Sequence, residues 1–395
     1  MMKKKIIIPS AILLVIVVMI VSSTLGEGSK ISIECVPVSE TLQKPRSINL
    51  KIYVENSGSM DGYMCPGSNL KDAVFDYVSD LSKMATTCSY YYINSKIVPC
   101  NMALNSYIQN LTPMAFVKAG GNRKNTDLRN MIDTILHKQD KNTVSVFVSD
   151  CILDIPENAV DFFGNCQVSI KNSFNAALKL NPNLGVQIMK MDSKFDGFWY
   201  CGHNSELLHN VKRPYYIWVI GDKFALADFN KKIPVKDILG GVNDYCAFST
   251  LGKIPFDVDK KRYVVNHTGV VKIQLLVDLS SSLQDQDVIG NLTNYIVSDA
   301  SVKVIGAHPI MAKGSKYSHV IDVELSNPKS MKGVTITFAI PKKPSWVLTS
   351  NDDTGRNVKK NLGKTTGILY LINGVAEAYK DYTTYGTISF DVKNK

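Results

Sequence analysis

The sequence predicts an α/β protein: a three-layer α/β/α domain with a mostly parallel sheet over residues 46–235, a smaller β-sandwich-like domain over 242–395, and an N-terminal transmembrane helix ahead of both. Three observations carry that expectation. Strand-like and helix-like stretches alternate between residues 48 and 220, the pattern of βαβ units whose crossovers set strands parallel and cover both faces with helices. From about residue 242 the texture changes to short β-rich segments divided by Pro, Gly, Ser and Asn turns. An uncharged run from Ile6 to Leu25 follows Lys3, Lys4 and Lys5.

That run takes the first 28 residues, and twenty apolar residues at about 1.5 Å rise each are enough to cross a hydrocarbon core of roughly 30 Å. The lysines keep the N-terminus cytoplasmic and place the rest outside, in a periplasmic or extracellular setting. A cleaved signal peptide and a secreted product remain the alternative, because Ser22, Ser23 and Thr24 resemble a cleavage site. Residues 29–45 read as a polar linker.

In the first domain the alternation Ile48-Leu50-Ile52-Val54 predicts a strand that runs into a small-residue turn at Asn56–Ser59. Val74, Tyr77, Val78 and Leu81 then repeat at helical spacing between Leu70 and Met84. A strand over Ser89–Val98, a short helix near Met102–Gln109 and a helix over Asp127–His137 follow. Val144–Val148 is a strand that ends at Ser149-Asp150. Helix Ser169–Leu180 and strands Gly185–Met191 and Tyr215–Ile220 complete the unit. In the second domain, β-rich segments at Val270–Asp278, Ala300–Ile305, His319–Leu325, Gly333–Ile340 and Gly386–Val392 are interrupted by one helical stretch, Ile368–Tyr379.

Composition narrows the function classes. With 45% hydrophobic and 20% charged residues in a 395-residue chain, long disorder is not expected. The formal charge is +10, but without residues 1–28 it is 42 basic against 34 acidic residues. The lysines are scattered and form no basic stripe interleaved with aromatics, so nucleic acid is not expected as a partner. Eight cysteines (Cys35, Cys65, Cys88, Cys100, Cys151, Cys166, Cys201 and Cys246) are compatible with disulfides outside the cytoplasm, and Cys88 with Cys100 is the first pair to try. No C-x-x-C occurs, which argues against a thioredoxin-like or zinc-ribbon role.

The chemistry concentrates at Val54-Glu55-Asn56-Ser57-Gly58-Ser59-Met60, at the carboxyl end of the first strand of the α/β unit. Ligand sites of open α/β sheets form at such ends. A carboxylate followed by two alternate hydroxyls offers hard oxygen ligands suited to Mg²⁺, Mn²⁺ or Ca²⁺. Two further segments follow in order: Gly120-Gly121-Asn122-Arg123-Lys124-Asn125-Thr126 ahead of a helix, and Phe147-Val148-Ser149-Asp150 closing a strand. Together they resemble the von Willebrand factor A-like domain over roughly residues 45–225. The metal-ion-dependent adhesion site of that family begins with Asp-x-Ser-x-Ser and adds a Thr from a later loop and an Asp at a strand end. The resemblance implies a metal site of Glu55, Ser57, Ser59, Thr126 and Asp150 that binds Mg²⁺ (or Mn²⁺ or Ca²⁺) and takes an acidic side chain of a protein partner as its last ligand. Glu55 departs from the family's leading Asp, with Asp61 and Asp127 close in sequence as compensating carboxylates, and Asn49, Lys51 and Tyr53 are unusual for a strand buried on both faces. The same departure suits a metal-free scaffold whose Ser and Thr side chains cap loops.

Other motifs carry less. Asp278-Leu279-Ser280-Ser281-Ser282 matches the literal pattern but has no later Thr or Asp partner and reads as a turn. Gly363-Lys364-Thr365 lacks the first glycine of a phosphate-binding loop, which would stand at Val358. Ser68-Asn69-Leu70-Lys71 matches Ser-x-x-Lys too loosely to matter, and no Gly-x-Ser-x-Gly or paired histidine motif is present. With no nucleophile and base pair to name, the expectation is not an enzyme; a hydrolase using the ion is the weakest of the readings. The leading expectation is a membrane-anchored extracytoplasmic binding or adhesion-type protein, with a metal-free envelope scaffold as the alternative.

Overall fold

The computed structural model describes residues 30–35, 47–124, 126–156, 161–259, 262–312, 314–328, 331–340, 344–380 and 385–394. The anchor expected at Ile6–Leu25 lies outside these residues. Among the described residues no helix is long and apolar enough to cross a membrane.

Chain order opens with strand β1 (Lys30–Cys35), in a stretch read from sequence as linker. The first unit follows. Its sheet holds seven strands, β2 (Asn49–Glu55), β3 (Thr87–Ile93), β4 (Ile97–Cys100), β5 (Thr143–Ser149), β6 (Leu184–Cys201), β7 (Asn204–Asp222) and β8 (Asp244–Phe248), in the order β4-β3-β2-β5-β7-β6-β8. Only β2/β3 and β2/β5 pair parallel, whereas β3/β4, β5/β7, β6/β7 and β6/β8 are antiparallel. This corrects the expectation of a mostly parallel, von Willebrand factor A-like sheet behind a transmembrane helix: the chain builds a mixed sheet and several antiparallel ones. The physical reason is β6 and β7. Gly185–Met191 and Tyr215–Ile220 are the base of one hairpin that continues, past a bulge, to a two-residue turn between Cys201 and Asn204, and strands joined that tightly must run antiparallel. The outer half of the hairpin alternates buried and exposed residues with polar ones among them, so it lacks the apolar run that marked its base.

Helices pack on both faces. Leu50, Ile52 and Val54 of β2 face a core shared with α1 (Leu70–Ser82), α2 (Leu104–Gln109) and α3 (Pro113–Ala119). Tyr53 and Phe147 face the other core, with α4 (Leu128–His137), α5 (Phe162–Leu180) and the C-terminal helix Ile368–Lys380. The polar residues of β2 are accommodated near its start: Lys51 reaches the carbonyl of Lys138 at 3.0 Å, and Asn49 accepts from Thr87 at 2.9 Å. Tyr53 is fully buried and stacks on Tyr91 with ring centroids 4.9 Å apart.

Most of the remaining strands form two largely antiparallel sheets around a third core that includes Ile33, Ile273, Leu275, Ile321, Val323, Phe338 and Phe390, while Asn351–Asp352 and Thr365–Thr366 make a separate parallel pair. β1 lies there, between Arg262–Val264 and Tyr385–Asn394. β8 and Ile368–Lys380 come after residue 242 in the chain and pack on the first unit's sheet. The seven cysteines whose side chains are described are free, Cys88 and Cys100 among them. Cys88 donates to the Ser82 hydroxyl, and Cys100 stands opposite Tyr90 rather than Cys88 in the β3/β4 ladder.

Gly374 lets the C-terminal helix approach α5, since a Cβ there would lie 2.6 Å from the Gln167 carbonyl and 2.7 Å from Cβ of Ile170. Gly374→Ala is expected to destabilise by about 1–3 kcal/mol through overpacking. Gly363→Ala, where a Cβ meets nothing within 4 Å, is expected to stay near neutral. Urea unfolding midpoints of the two variants check the difference.

Candidate metal centre

The carboxyl end of β2 is where three loops meet. Glu55 is the last residue of β2, held between β3 and β5. The next turn is zipped to the loop at 120–124: Gly58 N–H donates to the Arg123 carbonyl at 2.9 Å, and Arg123 returns bonds from Nε to the Asn56 carbonyl at 2.9 Å and from its terminal nitrogen to the Ser57 carbonyl at 3.2 Å and to Asp61 at 2.5 Å. Thr126 directly precedes Asp127, which caps α4 by accepting from Arg129 N–H. Ser149 and Asp150 close β5, and the chain then turns through Cys151, a buried residue in the left-handed region at φ 54°.

The five residues expected from sequence come together. The Thr126 hydroxyl donates to one oxygen of Glu55 at 3.2 Å, and the Ser57 and Ser59 hydroxyls are 3.2 Å apart. The Ser57 hydroxyl acts on Glu55 and the Ser59 hydroxyl on Asp150, each favouring the charged form of its carboxyl. Glu55 is 1% exposed, Asp150 2%, Ser57 3%, Ser59 6% and Thr126 8%. Ser149, adjacent to a residue singled out from sequence, donates to the second oxygen of Glu55 at 2.5 Å. Asp154 joins from the same loop: one oxygen accepts from Thr126 N–H at 3.2 Å and the other from Gly202 N–H at 3.1 Å. The run Ser149-Asp150-Cys151-Ile152-Leu153-Asp154 carried that signal, two carboxylates four residues apart just past a strand end. Asp61 and Asp127, the sequence candidates for compensation, are engaged by Arg123 and Arg129 instead.

Three carboxyls in this space leave it short of positive charge. Among the described residues no ion pair involves Glu55 or Asp150; the Arg213 guanidinium acts on Asp150 electrostatically, while its Nη1 bonds the carbonyls of Leu362 and Lys364. Burial, with the neighbouring Asp150 second, pushes the Glu55 carboxyl up to about 8. Burial raises Asp150 and pushes Asp154 up to about 6. One Asp150 oxygen accepts from Ile152 N–H at 3.3 Å, and the other, Oδ2, is buried with no hydrogen-bond partner. Such an orphaned carboxylate oxygen beside hydroxyls and a second carboxyl fits a hard cation as the missing partner. Among the described residues no group of three or more His, Cys, Asp and Glu side chains is placed to hold an ion, so the fit depends on hydroxyl ligands completing the two carboxylates.

Elsewhere, Asp278 accepts from the backbone N–H and hydroxyl of Ser280, which makes its Ser-rich segment a capped turn. Trp218 is buried in the core and Trp199 on the hairpin, while His203 and His209 are exposed. Comparisons with protein-family models, with curated proteins and with solved structures find no match.

Raised carboxyl pKa values make ion-free stability depend on pH. Glu55 and Asp154 bind protons more tightly folded than unfolded, so their contribution is full below the unfolded values and is lost as pH rises through about 6 and about 8. In chelator, the melting temperature is expected to fall between about pH 5 and pH 8, and Glu55→Gln is expected to flatten that fall. Thermal melts of both proteins across this range check it.

Proposed function

We propose that this protein is an extracytoplasmic binding protein that holds a divalent cation (Mg²⁺, Mn²⁺ or Ca²⁺) at the carboxyl end of β2 and engages a protein partner through it. The orphaned, buried Asp150 Oδ2 carries the reading, since a cation would supply what no protein donor supplies. Glu55 and Asp150 would be the anionic ligands and Ser57, Ser59 and Thr126 the neutral ones. All are hard oxygens, the donors that group-two cations and Mn²⁺ take. A bound cation would hold Glu55 ionised and, where its shell is incomplete, attract an acidic side chain of the partner. A membrane anchor at residues 6–25 would keep this surface outside the cytoplasm. These parts supply binding and orientation; no nucleophile and base pair stands among them, and the reading is not an enzyme.

One observation favours a second reading, a metal-free scaffold for envelope assembly. Both Glu55 oxygens already accept hydroxyl hydrogen bonds, from Thr126 and Ser149, so this carboxyl is satisfied by protein donors without an ion. The two readings separate in one experiment. At 100 times its dissociation constant, an ion adds about 2.7 kcal/mol to stability, several degrees in melting temperature. The full-length protein is expected to gain that shift with Mg²⁺, Mn²⁺ or Ca²⁺, and Ser57→Ala and Thr126→Ala are expected to lose it. No shift with any of the three ions sinks the metal reading in favour of the scaffold.

Because binding takes a proton from Glu55, affinity is expected to drop up to tenfold per pH unit below about 8. Calorimetric titration in buffers of different ionisation enthalpy counts that proton. A pull-down partner retained equally in chelator and by Ser57→Ala overturns the metal bridge while leaving the ion site itself standing.

A further inference from the structure

We propose that the outer half of the β6–β7 hairpin, residues 197–208, is a lid over the carboxyl end of β2, latched shut by Asp154. The purpose of the lid rests on the ion reading above; its existence does not. β6 and β7 outrun their sheet partners, for β5 ends at Ser149 opposite Tyr216 and β8 reaches β6 only as far as Lys190. Beyond those points the two strands pair with each other alone. Their register breaks between Phe195 and Gly197, and across from the break Asn210 takes a left-handed backbone at φ 53°. A bulge of this kind bends a ribbon and gives it a place to flex.

Below the break the hairpin is wedged. A Cβ on Gly62 would lie 2.4 Å from the Phe195 ring, and Phe195 packs edge-on to Tyr63 at 4.9 Å. Above it the tip lies across the candidate site. The Tyr200 ring rests on Gly58, between Ser57 and Ser59, where a Cβ would meet it at 3.3 Å. The tip buries Trp199, Cys201 and Leu208 in the first unit's core and is tied down by polar contacts: Gly202 N–H to Asp154 at 3.1 Å, the Cys201 thiol to the Leu153 carbonyl at 3.4 Å and the Asn204 amide to the Gly355 carbonyl at 3.1 Å. Asp154 is the latch because its other oxygen holds Thr126 N–H, so one carboxylate joins the tip to a ligand-bearing loop. The closed fit is imperfect, since the indole N–H of Trp199 is buried on the lid with no acceptor. With the lid shut, Ser57 and Ser59 are almost wholly covered, so an outside carboxylate reaches them only when the tip lifts.

Cys201, 1% exposed under the tip, reports opening, and Cys246, 5% exposed in β8, reports unfolding of the sheet. Iodoacetamide labelling of the full-length native protein, read peptide by peptide, compares the two. We expect Cys201 to label at least about tenfold faster than Cys246, as local opening is less costly than global unfolding. Asp154→Ala is expected to speed Cys201 further and leave Cys246 unchanged. Asn204→Ala is expected to do the same more weakly, without altering any charge near the thiol. Equal rates for the two cysteines in all three proteins, or equal acceleration of both, overturn the lid. If the variants speed Cys201 but added Mg²⁺, Mn²⁺ or Ca²⁺ leaves its rate unchanged, the lid stands and the ion reading falls.

Discussion

The carboxyl group of Glu55, buried at the end of a central strand, organises the loops around it. It accepts from Thr126 ahead of α4 and from Ser149 at the end of β5, so two segments distant in sequence hang on one side chain. A carboxyl taken out of water resists ionisation unless charge or strong hydrogen bonds compensate it. Here hydroxyls compensate it in part, Asp150 beside it works in the opposite direction, and the result is a carboxyl pushed up to about 8. The Cys151 backbone is held at positive φ just after Asp150, strain that the surrounding packing sustains at the same place.

Burial is what gives this arrangement its character, and the hairpin supplies much of that burial. Had β6 and β7 stopped at the sheet edge, the Ser57–Ser59 turn would meet solvent and the carboxyls would be screened. Instead Tyr200 rests on Gly58 and Gly202 bonds Asp154. The antiparallel ribbon that replaces a parallel crossover thus alters the chemistry of the loops beneath it. From the far side, the buried Arg213 gathers the carbonyls of Leu362 and Lys364, which ties the C-terminal segment to the hairpin base.

Much of the candidate site was legible in the chain. Oxygen-bearing side chains at a strand end, in a turn of small residues and ahead of a helix need little more than local structure to be recognised, and Glu55, Ser57, Ser59, Thr126 and Asp150 converge as their order suggested. Less of the fold was. Periodicity marks strands but carries no sign for their direction, and the alternating arm between Met191 and Tyr215 lacks the apolar run that would have joined its two ends. Helix α5 starts at Phe162, ahead of the expected Ser169, and takes in Gly164 and Asn165, residues of low intrinsic helix propensity.

By itself, then, the sequence determined which oxygen-bearing side chains gather at the end of β2 and on which loops they sit, because turn chemistry and strand ends are local properties. It also determined that the chain alternates strands and helices before turning β-rich. Only the tertiary structure decided that the central sheet is mixed, that β1 and the C-terminal helix cross between units, that Asp61 and Asp127 belong to arginines and that Asp154 belongs to the site. Those outcomes depend on which surfaces bury each other across long separations, and no short window of sequence contains that information.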